Sequence, residues 1–209
     1  MIDAVTFENS HHYGDAIAAQ ARFRYEQFVA RDGWDVPHYH GHEYDDYDNF
    51  CATYLLYRDE TARVRGMVRL IPTTRRHMLP ELWPFLAPPE GLPRGPDIWE
   101  NTRFAVDKGL PPRLRREVHG ALVLASLEFG LANGITSYLL VSPLWILNGS
   151  LSAAGLEPEI LNTTDRLGPR PVGVAKVPVS SATLARCRAQ TGISGPVLDQ
   201  LDRSERLAA

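Results

Sequence analysis

Eight residues scattered through the first half of the chain carry groups able to do chemistry together: Arg24, Phe28, Trp34, Asp45, Asp48, Arg69, Glu100 and Arg103. In this order they suggest a paired-charge active site facing a small charged substrate. Arg24 and Phe28 are four apart, so a helix would put them on one face; taken singly they read as a solvated charge and a core ring. Asp45 and Asp48 lie in Glu43-Tyr44-Asp45-Asp46-Tyr47-Asp48, which taken alone is an acidic turn. It lacks the glycine and distal glutamate of an EF-hand loop, which sets calcium aside. Arg69 sits in the otherwise apolar Gly66-Met67-Val68-Arg69-Leu70-Ile71, and Glu100 and Arg103 sit in Trp99-Glu100-Asn101-Thr102-Arg103-Phe104-Ala105-Val106. Charges inside apolar strands are seldom buried unless paired. These three therefore imply partners, and Asp45 and Asp48 are the available carboxylates. A network that only holds the fold is the competing reading. Trp34 follows Gly33 in a polar loop, where its ring either caps the core or stacks on a ligand; a cationic ligand would favour the aromatic face.

The elements that must position these groups are legible in outline. Asp15 to Ala30 has helical periodicity, and Gly33 to Tyr47 is a long polar loop of the kind that carries function. Phe50 to Tyr57 and Val64 to Ile71 read as an antiparallel hairpin around a turn at Arg58 to Thr61. Proline-rich Pro80 to Pro96 is an irregular connection, and Ile98 to Val106 is a strand. Pro111 and Pro112 precede a long helix, Leu114 to Asn133, closed by Gly134. Ser137 to Val141 is a buried strand, Trp145 to Ala154 a helix stopped by Gly155, Val172 to Val179 a strand, and Ser180 to Gln190 a short helix. The chain after Asp202, about residues 203–209, reads as a frayed tail. Helices and strands alternating around one sheet give an α/β (α+β) class in three layers.

Composition narrows the function. The 209 residues fit one domain with a real core. A net charge of -3 argues against nucleic acid as a partner. No apolar run approaches the ~20 residues of a membrane helix, and the N-terminus shows no basic-then-apolar leader, so a cytoplasmic protein is expected. Cys51 and Cys187 read as reduced thiols.

The segments Arg24 to Phe28, Gly33-Trp34, Glu43 to Asp48, Val68 to Thr74 and Trp99 to Asp107 resemble the LuxI-type acyl-homoserine lactone synthases, the autoinducer synthases of bacterial quorum sensing. All eight of that family's characteristic positions are filled, and the match is strong over roughly residues 1 to 110. The resemblance implies a three-layer α-β-α sandwich with an acetyltransferase (GNAT)-like mixed sheet. It also implies an acyltransferase that joins S-adenosylmethionine to an acyl chain from acyl carrier protein or coenzyme A. The products would be an N-acyl-homoserine lactone, methylthioadenosine and the carrier thiol. S-adenosylmethionine is then a substrate, and no cofactor is implied.

Under that resemblance the catalytic group is Glu100, Asp45 and Arg103. Glu100 takes a proton from the substrate amine directly or through water, and Asp45 holds the amine. Arg24 binds the substrate carboxylate, for which its fork is suited, and Phe28 and Trp34 line the S-adenosylmethionine pocket. Asp48, Arg69 and Arg103 form a supporting ion-pair network. The thioester arm would lie where two central strands splay, near Arg103 to Val106 and Leu139 to Ser142. The acyl tail would lie among Leu122, Leu140, Ser142, Trp145, Ile146 and Leu147. The helix from Trp145 to Ala154 has no Lys or Arg to meet an acidic carrier protein, which keeps an acyl-CoA donor open; Arg113, Arg115 and Arg116 offer another basic patch. Two rivals stand beside this reading. One is a GNAT N-acetyltransferase using acetyl-CoA, although Asp107 to Gly120 lacks that family's pyrophosphate loop. The other is a non-enzymatic ligand-binding or metal-binding protein, given the alternating His38, His40 and His42.

Overall fold

The computed structural model describes residues 1–199; the tail expected after Asp202 lies outside them. One eight-stranded sheet runs in the order β10-β1-β4-β5-β6-β7-β9-β8. Its strands are β1 (Ile2–Thr6), β4 (Thr53–Arg58), β5 (Val64–Pro72), β6 (Ile98–Val106), β7 (Ser137–Pro143), β8 (Glu159–Thr164), β9 (Val172–Pro178) and β10 (Leu198–Asp199). Neighbours are antiparallel except β1 with β10 and β6 with β7. A small hairpin, β2 (His38–Tyr39) and β3 (His42–Glu43), stands apart within the polar loop.

Alternation along β4 and β5 sorts the core into two faces. Leu55, Val68 and Leu70 pack with Leu122 and Leu124 of α3 (Pro112–Ala132). Tyr54, Leu56, Met67 and Ile71 pack with Ala16, Ala19 and Phe23 of α1 (Ala16–Arg24). α2 (Met78–Leu82) adds Met78 to the α1 side, and α4 (Ser181–Thr191) adds Cys187 to the α3 side. The result is the three-layer α-β-α arrangement implied above. A methyl group at Gly66 would lie 2.7 Å from Val118, so glycine there lets α3 sit directly on β5. Gly134, at φ +68, closes α3 in the left-handed conformation that side chains disfavour.

Four details depart from expectation. The first helix turns into a π-helix over Tyr25–Arg31, a distortion frequent at functional sites. The segment 146–151 is likewise π-helical within the expected second-half helix. The proline-rich connection is less irregular than its composition suggests, because α2 and a 3-10 turn at Pro84–Leu86 organise it. Strands β1, β8 and β10 and the β2–β3 hairpin were not legible. They are short, and the two-residue β10 is set by pairing with β1 rather than by any pattern of its own.

Candidate active site

The register of β5 and β6 aims the charges. Val68 and Leu70 face α3, so Arg69 faces the α1 side, opposite Tyr54 on β4 and Thr102 on β6. Pairing then slips from Arg69–Thr102 to Met67–Ala105, leaving Arg103 and Phe104 as a bulge. Arg103 takes φ +54 there. The bulge re-aims one side chain, so Arg103 and Thr102 both serve the same charged cluster although they are adjacent in sequence.

The loop supplies the anions in a prepared conformation. Asp45 accepts from the Tyr47 N–H at 2.9 Å and Asp48 from the Asp45 N–H at 2.9 Å, both local Asx interactions. Arg69 donates to both Asp45 oxygens, at 2.5 and 2.9 Å, and to Asp48 at 2.9 Å. Arg103 donates to Asp45 at 2.8 Å and to both oxygens of Glu43, at 2.9 and 3.2 Å. Arg24 donates through Nε to Glu43 and through Nη1 to Asp48 at 2.6 Å. Tyr54 donates its hydroxyl to Asp48 at 2.7 Å.

Arg24, Arg69 and Glu43 have no exposed side-chain surface, and Arg103, Asp45 and Asp48 little. Three guanidiniums thus meet three carboxylates in a cluster of zero net charge, which satisfies the rule that buried charges are paired. Burial works to raise the Glu43 pKa, but the bonds from Arg24 and Arg103 outweigh it and hold the group below the usual carboxylate value. Asp48 is likewise driven up by burial and pulled further down by Arg69 and Arg24, ending far below that range. The Tyr54 hydroxyl is pushed well up, by burial and then by the Asp48 charge.

Five of the eight residues form this cluster and Phe28 lies against it; Trp34 reaches it through Phe28, and Glu100 through Met78. Phe28 and Trp34 stack with centroids 4.6 Å apart, and the Arg103 guanidinium lies 5.8 Å from the Phe28 ring centre. Trp34 keeps 47 % of its surface exposed. Glu100, also buried, accepts from the Met78 and Leu79 N–H groups at 2.8 and 2.7 Å. It thereby holds the first turn of α2 against the sheet. Met78 joins the two systems, its sulfur lying 3.1 Å from Arg69 Nη2 and 3.5 Å from Arg103 Nη1. Burial raises the Glu100 pKa, and the two amides, His77 and Arg69 offset only part of that.

Four expected placements differ in the structure. Arg24 does not present an open fork: its side chain is fully covered and belongs to the ion-pair network, with only Nη2 lacking a hydrogen-bond partner. Leu122 faces β5, closing on Gly66, and is part of the solid core rather than the lining of a cleft. Trp145 is half exposed, with Arg170 5.9 Å from its ring centre, so it stands at the surface. Leu147 is fully buried in the core.

The expected splay is present. β6 and β7 pair only from Ile98–Ser137 to Glu100–Leu139. Beyond that point β7 continues alone against β9 as far as Pro143, leaving Leu140 and Ser142 half-buried beside the opening. Phe104, Leu140 and Ile146 pack from this region onto the α3-side core. Phe104 also touches the ring of His119 on α3, at 5.2 Å between centroids.

Glu43, Met78 and Tyr54 were missed. Charge counting is the signal that could have found Glu43. With Glu100 committed to backbone amides, three buried arginines need a third acid, and Glu43 is two residues from Asp45, on the same side of an extended segment. Among the described residues no group of three or more His, Cys, Asp or Glu side chains converges as a metal site. A surface depression lined by Asp15, Arg22, Glu26 and Arg63 lies between α1 and the turn that joins β4 to β5 and includes none of the cluster.

Comparison with known proteins bears on this geometry. The sequence model of a family described as autoinducer synthase matches residues 8–186. An acyl-homoserine-lactone synthase of Acinetobacter nosocomialis is 34% identical over 139 residues, 64% of this chain and 75% of that protein. An isovaleryl-homoserine lactone synthase of Bradyrhizobium diazoefficiens is 36% identical over 150 residues, 70% of this chain and 66% of that protein. Among solved structures, the CoA-dependent acyl-homoserine lactone synthase BjaI, with SAM and isopentyl-CoA, superposes with a TM-score of 0.85 at 29% identity. That superposition covers 100% of this chain and 98% of that one. A putative N-acetyltransferase from Lactobacillus plantarum, at TM-score 0.50 and 14% identity over 78% of this chain and 91% of that one, shares the fold alone.

Proposed function

The chain belongs to the autoinducer synthase family of acyltransferases, and from that premise we propose that it makes an N-acyl-homoserine lactone from S-adenosylmethionine and an acyl-CoA. The observation that carries this reading is the placement of a charge-neutral ion cluster and an aromatic stack beside the splay of β6 and β7. An amino acid bearing a sulfonium, an ammonium and a carboxylate needs both charge signs and an aromatic face; an acyl thioester needs an elongated slot.

In this reading Trp34 and Phe28 cover the adenosine and sulfonium, and Asp45 attracts the ammonium. The carboxylate is met by Arg103 Nη1, which touches only the Met78 sulfur, while the covered Arg24, paired with Glu43 and Asp48 and with Nη2 3.6 Å from Asp45, backs the network. Glu100 accepts the amine proton through a water, and burial raises its proton affinity above that of an ordinary carboxylate. The amine then attacks the thioester carbonyl and the CoA thiolate leaves. The substrate carboxylate attacks its own γ-carbon and expels methylthioadenosine. Positioning supplies most of that second step, because the leaving group is built into the substrate.

An acyl-CoA donor is favoured over acyl carrier protein by two observations. The helix after β7 carries no Lys or Arg, and the relative BjaI is described as CoA-dependent and was solved with isopentyl-CoA. The reaction is proposed to run in the cytoplasm, where both substrates are made; no helix among the described residues is long and apolar enough to cross a membrane. Purified protein given S-adenosylmethionine and a panel of acyl-CoAs is expected to yield an acyl-homoserine lactone and methylthioadenosine in equal amounts by mass spectrometry. Acyl transfer that ignores S-adenosylmethionine would overturn the proposal.

A further inference from the structure

We propose that Glu43 is a positioning residue for S-adenosylmethionine: it holds Arg24 and Arg103 in place and supplies the negative charge that lets the buried cluster accept a cation. This rests on the reading of the site given above.

Arg69 is closed upon itself by its partners. Its Nε donates to Thr102 at 3.1 Å, Nη1 is shared by Asp45 and Asp48, and Nη2 contacts Asp45 at 2.9 Å and the Met78 sulfur. Glu43 holds the other two: Arg103, whose Nη1 touches only the Met78 sulfur, and the covered Arg24, whose Nη2 makes no hydrogen bond and lies 3.6 Å from Asp45. Glu43 grips Arg103 with both oxygens, at 2.9 and 3.2 Å, while that residue sits at φ +54 in the bulge. An arginine occupies that region of backbone space only when its surroundings hold it there. Arg24 Nε donates to the same Glu43 oxygen that Arg103 Nε uses. One carboxylate therefore fixes Arg103, the guanidinium assigned to the substrate carboxylate, against the covered Arg24 that backs it.

Charge balance gives Glu43 its second role. Glu43, Asp45 and Asp48 neutralise Arg24, Arg69 and Arg103. Without the Glu43 charge the buried cluster carries a net positive charge. In a site of low dielectric that repels a sulfonium and an ammonium and attracts anions. Glu43 reaches the cluster from β3, where it pairs across the hairpin with His38. A short element outside the main sheet thus sets the sign of the site.

The test compares two ligands that differ in the relevant part. S-adenosylmethionine carries the amino acid and the sulfonium; methylthioadenosine keeps the adenosine and the methylthio group and is neutral. In Glu43→Gln, calorimetry is expected to show S-adenosylmethionine affinity reduced roughly tenfold or more, with methylthioadenosine changed by less than about twofold. Glu43→Asp keeps the charge and is expected to recover part of the loss. It also carries the test if the glutamine variant does not fold. Equal losses for both ligands, or no loss for either, in a variant with parent-like thermal melting would overturn the role of Glu43. A parent chain that binds neither ligand would overturn the reading of the site itself.

Discussion

Arg69 and Asp45 form a two-pronged ion pair, with both guanidinium Nη atoms on both carboxylate oxygens at 2.5 and 2.9 Å, across 24 residues of sequence. It ties the loop to the centre of the sheet. Removing one member of a buried pair leaves an uncompensated charge, so Asp45→Asn is expected to lower stability by about 3 kcal/mol and to abolish turnover. Denaturant unfolding checks the first outcome. A variant as stable as the parent would mean that the cluster adds nothing to the fold.

The same pair shows how far sequence reasoning reaches. Arg69, Glu100 and Arg103 could be placed on strands because each interrupts an apolar run, and a buried charge demands a partner. The bulge could not be anticipated. Strict alternation would put Arg103 on the face opposite Glu100 and Thr102, and only the slip in pairing with β5 brings it round. Glu43 was hidden because a glutamate in a polar loop fits any pattern; its burial is a property of the assembled cluster. Glu100 interrupts an apolar strand and so must be paired, but its partners are backbone amides of a helix that a proline-rich segment gave no cause to expect. On the acyl side, the splay followed from the fold family, whereas the lining did not. Leu122 and Leu140 are equally apolar, and only the packing of α3 on Gly66 commits one of them to the core.

Trp34 is half exposed and stacks on buried Phe28. Little of the fold depends on it, so Trp34→Ala is expected to change stability by less than about 1 kcal/mol. Loss of the ring should weaken both S-adenosylmethionine and methylthioadenosine by roughly tenfold, a π-stacking loss that ignores charge. Unaltered affinity for both, measured by calorimetry, would remove Trp34 from the pocket.

Glu100→Gln keeps the shape and one acceptor for the α2 amides while removing the base. Turnover is expected to fall by at least about a hundredfold, the usual range for a general base, with S-adenosylmethionine affinity and circular dichroism close to the parent. Full activity in this variant would exclude Glu100 as the proton acceptor.

Ser142 lies on the stretch of β7 that has parted from β6. Ser142→Phe should partly fill the opening. Its kcat/KM for an acyl-CoA with a long chain is expected to drop roughly tenfold or more relative to a short one, while the KM for S-adenosylmethionine holds. A parallel loss for all donors would place the acyl chain elsewhere.

The carboxylates also make stability depend on pH in two opposite senses. Glu43 and Asp48 have pKa values depressed by their arginines. Their contribution is therefore present above the ordinary values of 4.5 and 3.8 and is lost as the pH falls through the depressed ones. Glu100 is the reverse. Its pKa is raised above 4.5, so its contribution is complete below that value and is lost as the pH rises through the raised one. Unfolding free energy should thus fall steeply on acidification below about pH 4. Asp48→Asn should flatten that acid limb although its absolute stability is lower, because the group responsible for the proton uptake is gone. Glu100→Gln should leave the acid limb in place and remove the decline on the alkaline side of the maximum. Denaturant melts from pH 3 to pH 8 separate the two groups, and an acid limb equally steep in Asp48→Asn would show that other carboxylates set it.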